Sequence, residues 1–533
     1  MPDALSISPH RAPAVRPRAR SLRTACAAVL VACQLLAPPV ARAQLLPGMG
    51  DGGEMTAAAE RRLGDQIARE LYRDPDYIDD PVLEAYVQDI WGRLLAAARL
   101  RGELTPELDE RFAWTLLMGR DRNINAFALP GGYLGLNLGL IAVTDSPDEL
   151  ATVLGHELSH VTQRHISRIM SRQGRQMPLL LAAMVLGMIA AAKSRSGDAG
   201  QAVIMGSQAM AMQNQLSFSR DMEREADRIG YGVMTQAGFA PQGAAAMFEK
   251  LQYASRLNDN GSYPYLRSHP LTGERISDMQ SRFQFKSTEG APAAAAPPLA
   301  AKAPQVTHAL MAARARVLSR PGADVLRQWM RASSGGEFER STPVAQAATL
   351  YAAALAARET QDLPQARALA DRLAARTAGD AGASRVARLL QAEIALAAGA
   401  APQAATFLDA KSKERPEMLL SAQVAIALRS PAPMVAPLRD WVAVHPKDAG
   451  AWRMLGALYN AQNDTVRAVR ADAEANVAML DYAGARDRFK AAQELVRNGG
   501  GGVPVDFYEA SIIDTRARAV DAMLKDQQSD PPL

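Results

Sequence analysis

Apolar residues recur along most of this chain at intervals of three and four, the period of a helix with one buried face. That spacing predicts helices over Glu60–Leu71 and Val82–Leu95, and another opened by Ser146-Pro147-Asp148-Glu149. Ser146 is placed to cap this last helix, Pro147 suits its first position, and Glu149 completes a capping box. Leu150, Val153, Leu154, Leu158 and Val161 then supply its buried face. From Met177 to Ala192 polar positions nearly vanish. Sixteen residues fall short of a bilayer span, so the run reads as a buried helix near the cleft, or else as a lid facing membrane or substrate. Methionines here and at Met205, Met210 and Met212 would suit contact with varied apolar chains.

The periodicity stops in a Pro/Ala-rich stretch at 289–304, which has little to bury and reads as a linker. Beyond it the chain is rich in Ala, Leu and Arg, with helical period and almost no strand signal. Trp452-Arg453-Met454-Leu455-Gly456-Ala457-Leu458-Tyr459 matches W-x2-L-G-x2-Y, the first-helix signature of a tetratricopeptide repeat. Pro343–Ala375, Ser384–Glu414 and Leu419–Val444 read as degenerate helix pairs. Ala366, Ala404 and Ala436 would let paired helices approach, and Pro416 and Pro446 fall at repeat ends. Stacked pairs of this kind bury a continuous core and leave a concave surface.

At the N-terminus five arginines between Arg11 and Arg23 precede an apolar run from Thr24 to Val40, and Ala41-Arg42-Ala43 is a cleavage-type site. Residues 1–43 therefore read as a signal peptide, with Gln44 opening the mature chain. Leu30-Val31-Ala32-Cys33 offers an alternative, a lipoprotein box that would anchor the protein at Cys33. The expected order is signal peptide 1–43, a catalytic domain over 44–288, the linker, and helical repeats over 305–533. Six Arg and one Asp lie in the leader, so the mature chain holds 54 basic and 55 acidic residues. A net charge of −1 gives no support to nucleic-acid binding. Both cysteines, Cys26 and Cys33, also lie in the leader, so the mature chain is no disulfide scaffold yet is compatible with an oxidising compartment.

The chemistry concentrates in His156-Glu157-Leu158-Ser159-His160. Positions i and i+4 of a helix lie about 40° apart, so both rings can reach one metal ion, with Glu157 beside them to take a proton from water. His165 is a poor third ligand. It lies about 180° from His156 on a continuous helix, and Gln163 stands where the longer HExxHxxGxxH pattern needs glycine. A catalytic zinc needs a third protein ligand and an open position. Glu223 is the best candidate, with Asp227 four residues on along the same face and Glu225 pointing roughly opposite. Asp227 could then accept a hydrogen bond from a ligand histidine.

HExxH followed by E-x-x-x-D resembles the zinc endopeptidases that include the CaaX prenyl proteases and related heat-shock proteases. Asn125-Ala126-Phe127-Ala128-Leu129-Pro130-Gly131-Gly132-Tyr133 is similar to that family's Asn-Ala-Phe edge strand, where Gly131 and Gly132 let the backbone turn tightly and an extended peptide could pair. Ser268-His269-Pro270-Leu271-Thr272-Gly273-Glu274-Arg275-Ile276 resembles the His-Pro…Arg-Ile signature of its periplasmic branch. The resemblance implies a mostly α chain: a gluzincin-type α+β zinc-peptidase domain with a small sheet, then an α-solenoid of tetratricopeptide-like repeats. It implies one Zn2+ per chain held by His156, His160 and Glu223, with Glu157 as base. It gives Asp227 a proton-donor role, although the chemistry favours an orienting one. His269 is implied to approach the metal, as a fourth ligand keeping the enzyme latent or as a transition-state stabiliser. Arg275 would anchor the site through carboxylates, and Asn125 would support it.

The branch implies a periplasmic endopeptidase acting on unfolded or misassembled outer-membrane proteins, with contact to the barrel assembly machinery through the repeats and peripheral membrane association. A chaperone or scaffold whose metal site stays latched is the competing reading.

Overall fold

The computed structural model describes residues 55–173, 219–256, 264–288, 305–499 and 507–529. The leader with Cys33, the Met177–Ala192 run, Met205, Met210, Met212 and the 289–304 stretch lie outside them. Two long helices open the described chain: α1 (Ala57–Arg73), capped by Thr56, and α2 (Pro81–Leu100), capped by Asp80 with Pro81 in its first turn. A short α3 (Pro106–Arg111) leads into a small sheet of β1 (Thr115–Gly119), β2 (Ala126–Leu129) and β3 (Tyr133–Asn137). Its order is β1-β3-β2: β3 lies centrally, parallel to β1 and antiparallel to β2, so β2 forms an edge. The turn between β2 and β3 needs its glycines. Gly131 and Gly132 have φ of 71° and 86°, and a Cβ on Gly131 would sit 2.6 Å from Arg61 Cα.

After α4 (Leu138–Val143) comes α5 (Pro147–Thr162), the helix that the period and cap predict. The Ser146 hydroxyl accepts from the Glu149 amide at 3.2 Å. The Glu149 carboxylate takes the Asp145 amide at 2.9 Å, one residue earlier than a capping box uses, and also meets Lys250 at 2.8 Å. Leu150, Leu154 and Leu158 are fully buried, each removing apolar surface worth about 1.5–3 kcal/mol. α6 (His165–Gln173) follows after a break, then α7 (Arg220–Gln236), α8 (Gln242–Arg256), the single turn α9 (Tyr265–Ser268) and α10 (Gly273–Thr288).

Helices alone continue from there among the described residues: α11 (Gln305–Leu318), α12 (Ala323–Ala332), α13 (Gly336–Arg340), α14 (Pro343–Glu359), α15 (Leu363–Thr377), α16 (Ala381–Ala397), α17 (Ala401–Phe407), α18 (Arg415–Ala427), α19 (Ala432–Val444), α20 (Ala449–Ala461), α21 (Thr465–Ala478), α22 (Tyr482–Arg497) and α23 (Phe507–Ser529). From α14 onward sequential neighbours pack against each other, as a solenoid requires, while α11 and α12 both pack on α14. In the best-matching repeat Leu455 is fully buried, and Gly456 faces Ala468 and Ala471 of α21. Ala366 and Ala404 are fully buried as expected. Ala436 is exposed; α19 packs through Leu438 and Val442 instead. Pro416 sits in the first turn of α18, where its missing N–H costs nothing, and so opens a helix rather than ending one.

One hydrophobic core runs from Ala57 to Leu420, so α11 and the first repeats are continuous with the catalytic region. Two buried groups on α11 stitch that junction. Arg314 grips Asp80, the α2 cap, with Nε–Oδ1 at 2.8 Å and Nη2–Oδ2 at 2.7 Å, and reaches Glu393 at 2.7 Å. His308 Nε2 lies 2.8 Å from the Thr144 carbonyl, and its Nδ1 lies 2.6 Å from the Tyr86 hydroxyl. No helix among the described residues is long and apolar enough to cross a membrane.

Candidate metal centre

The crossing of α5 and α7 builds the site. Gly155 and Gly230 face each other where the helices meet, and a Cβ on Gly230 would lie 2.9 Å from the Gly155 carbonyl carbon and the His156 amide nitrogen. Only glycine lets the axes come this close. Glu223 and Asp227, two turns and one turn before Gly230, are thereby carried onto the histidines of α5.

His156 Nε2 and His160 Nε2 are 3.0 Å apart. Glu223 Oε2 is 3.5 Å from His156 Nε2, and Oε1 is 3.5 Å from His160 Nε2. His269, just past α9, completes the group: its Nδ1 lies 3.3 Å from His156 Nε2 and 3.0 Å from Glu223 Oε1. All four residues are buried, and one donor atom from each lies within 4.8 Å of the rest. A tetrahedral zinc with bonds of about 2.0–2.1 Å spaces its ligand atoms about 3.3–3.4 Å apart. The donor set and its spacing therefore fit that ion.

The groups behind the donors fix their orientation. His156 Nδ1 is 2.9 Å from Asp227 Oδ1, which holds the proton on Nδ1 and leaves Nε2 for a cation. Arg275 clasps Asp227 through Nε–Oδ2 at 2.6 Å and Nη2–Oδ1 at 2.8 Å. Its Nη1 reaches Glu223 Oε2 at 2.8 Å and the Pro270 carbonyl at 2.9 Å, tying the His269 loop to both carboxylates. Tyr265 stacks on His269 with centroids 4.6 Å apart. Glu157 Oε2 accepts the amide of Ala128 on the edge strand at 2.9 Å. Its Oε1 is buried with no hydrogen-bond partner among the described residues, 3.4 Å from His269 Nε2. The Asn125 carbonyl accepts the Asn137 amide at 3.0 Å and starts the β2–β3 pairing.

The electrostatics ask for positive charge. Burial opposes ionisation of Glu223 and Asp227, yet His269 and His156 hold Glu223 well below the usual carboxylate range, and Arg275 with His156 lowers Asp227. Burial likewise opposes the charged form of His156, but Asp227 and Glu223 carry its pKa up to about 10. His160, buried and beside His156, is pushed well below 6.5. Burial raises the Glu157 carboxyl, which improves it as a base.

Spacing reasoning missed two participants. His165 does not sit opposite His156, because α5 ends at Thr162 and the chain turns before α6. Its Nδ1 lies 2.9 Å from His160 Nδ1, and its Nε2 lies 3.0 Å from Glu225 Oε2. Glu225, on the far side of α7 from Glu223, is thus linked to the site through His165. The only sequence signal was the histidine itself, five residues past His160.

The family described as Peptidase family M48 matches residues 82–283. The chain is 36% identical over 273 residues to the beta-barrel assembly-enhancing protease of Escherichia coli K12, covering 49% of this chain and 53% of that one. To the Yersinia pestis protein of the same name it is 30% identical over 417 residues, covering 77% and 79%. The mitochondrial metalloendopeptidase OMA1 of Arabidopsis thaliana is 31% identical over 166 residues, 31% of each chain. The matches to the Vibrio cholerae and Escherichia coli relatives span about half of those proteins, 52% and 53%.

Proposed function

The chain belongs to peptidase family M48, and from that premise we propose that it is a zinc-dependent endopeptidase of the bacterial periplasm, exported by a signal peptide over residues 1–43. The single observation that carries this reading is the cluster of His156, His160, Glu223 and His269 donors at zinc spacing with the Glu157 carboxylate beside them. His156, His160 and Glu223 would hold the ion. Zinc supplies Lewis acidity for the scissile carbonyl and for the attacking water.

The remaining chemistry belongs to the side chains. Glu157 is pinned through Oε2 by Ala128, and Oε1 is the atom that takes the water's proton and hands it to the leaving amine. Asp227 orients His156, as its 2.9 Å contact supports, and Arg275 keeps Asp227 ionised. The β2 edge offers backbone groups to an extended peptide. His269 would act as a latch: as a fourth protein ligand it would fill the position a catalytic site keeps open, and the loop from Tyr265 to Pro270 would have to withdraw to admit substrate.

The clients we propose are unfolded or misassembled outer-membrane proteins, a class that the names of the bacterial relatives support. The repeats over 305–533 would engage clients and the barrel assembly machinery, joined to a peptidase domain over 44–288. The closed His269 position also favours a second reading, in which the protein assists assembly and cleaves only what stalls.

Casein cleavage by the purified full chain tests the first reading. It should stop with a zinc chelator and in Glu157→Gln, while that variant keeps one equivalent of zinc. Cleavage surviving in Glu157→Gln would overturn the assignment. Rescue of barrel assembly by Glu157→Gln would favour the second reading.

A further inference from the structure

On an unbroken helix His165 would lie about 140° round from His160, and the two rings could not meet. The chain instead leaves the helix after Thr162, passes through Arg164 at φ 52°, and restarts at His165. Left-handed backbone is unfavourable for arginine, so something must hold it there. Its guanidinium is bound by Glu60 at 3.0 Å, by the Ser167 hydroxyl at 3.2 Å and by the Met55 carbonyl. The turn folds the His165 ring back so that its Nδ1 lies 2.9 Å from His160 Nδ1, with both residues fully buried.

Two ring nitrogens at that distance share one proton: one donates and the other accepts. Glu225 Oε2 decides which. It lies 3.0 Å from His165 Nε2 and 3.0 Å from Arg168 Nη1, which keeps it an ionised acceptor. His165 therefore carries its proton on Nε2 and presents Nδ1 as an acceptor. His160 must then be protonated on Nδ1, which leaves its Nε2, the atom facing His156 and Glu223, bare for a cation.

We propose that His165, fixed by Glu225, is a positioning residue that sets the tautomer and ring plane of His160. This rests on the reading of His160 as a zinc ligand. The two ligand histidines are thus oriented by different means. Asp227 holds His156 directly, whereas a carboxylate on the opposite face of α7 holds His160 through a second imidazole.

Zinc affinity of the full chain, measured by competition with a chromophoric chelator, tests the inference without relying on turnover. Loss of such a partner typically costs about 10–100-fold in metal affinity. His165→Leu should show a drop of that size. His165→Asn, whose amide oxygen can stand near the Nδ1 position, should recover most of it. Glu225→Ala, altering a partly exposed side chain, should fall several-fold even if His165→Leu fails to fold. Unchanged affinity in Glu225→Ala and His165→Leu overturns the inference, as does His165→Asn binding as weakly as His165→Leu. His160→Ala separates the two levels: wild-type affinity in that variant overturns the zinc-site reading instead.

Discussion

Replacing Gly230 by alanine places a methyl group where α5 and α7 cross. The new carbon would lie 2.9 Å from the Gly155 carbonyl carbon and oxygen and from the His156 amide nitrogen, all of them backbone. Ordinary carbon contacts are about 3.5–4.0 Å, so the helices must part by roughly 0.6–1.1 Å. Two terms compete in stability. Alanine is favoured over glycine inside a helix by about 1 kcal/mol, while overpacking a buried contact costs about 1–3 kcal/mol. The net effect is a modest loss, up to about 2 kcal/mol. Activity should suffer far more. Asp227 and Glu223 move with α7, and a sub-ångström retreat takes the 2.9 Å contact of Asp227 with His156 to the limit of a hydrogen bond. Misplacement near 1 Å costs on the order of 100-fold in rate. Casein cleavage, chelator competition and thermal unfolding of Gly230→Ala should together show small destabilisation, weakened zinc binding and a large loss of turnover. A variant that melts higher than wild type, with zinc affinity and turnover intact, would show that the crossing does not set the site.

Smaller predictions accompany it. Glu157→Gln should lower cleavage by about 100- to 10,000-fold with zinc content unchanged, as read by metal analysis beside the casein assay. His269→Ala should raise basal cleavage, because it opens the fourth position; a loss of activity would refute the latch. Burial lowers the His308 pKa to about 4 in the folded chain, against 6.5 for the free side chain. Above pH 6.5 both states are neutral and the junction keeps its full stability. As pH falls from 6.5 toward 4 the unfolded chain takes up the proton first, so about 2–3 kcal/mol is lost by pH 4.5. Denaturation midpoints at pH 7.5 and 4.5 should therefore converge in His308→Leu relative to wild type, and an equal pH effect in both would remove His308 as the cause.

What the residues disclose in advance is whatever repeats locally. The α5 helix carries a cap, an apolar face and two histidines one turn apart, and each acts within a few residues of itself. Glu223 and Asp227 are readable for the same reason. The glycine crossing is not, since a glycine inside a helix reads only as a weak helix former until its neighbour across the interface is known. His165 escapes because an arginine in left-handed backbone leaves no local mark. His308 and Arg314 escape because their partners, Thr144, Tyr86 and Asp80, lie 164 or more positions away in the chain. Ala436 errs the other way: small size alone does not say which face of α19 is covered.

Charge ties these parts together. Glu223 and Asp227 are buried against Arg275 and Glu157 is buried in the same site, so with all three carboxylates ionised and the histidines neutral two negative charges are left. Burying such an imbalance is costly, and groups so placed recruit a counter-charge. A divalent cation cancels it fully, whereas a proton on His156 cancels only half, which accounts for the upward pull on that ring. The same balance bears on the proposed latch. Exchanging the His269 imidazole for a neutral water leaves the site's net charge unchanged, so opening requires no uncompensated buried charge. What holds the loop in the protein itself is then short-range: the His269 Nδ1 contact to Glu223 Oε1 at 3.0 Å and the Arg275 contact to the Pro270 carbonyl at 2.9 Å. A peptide that displaces those two contacts frees the loop while Asp227 and Arg275 still hold His156 and Glu223 in place, which is what a latch over a preassembled site requires.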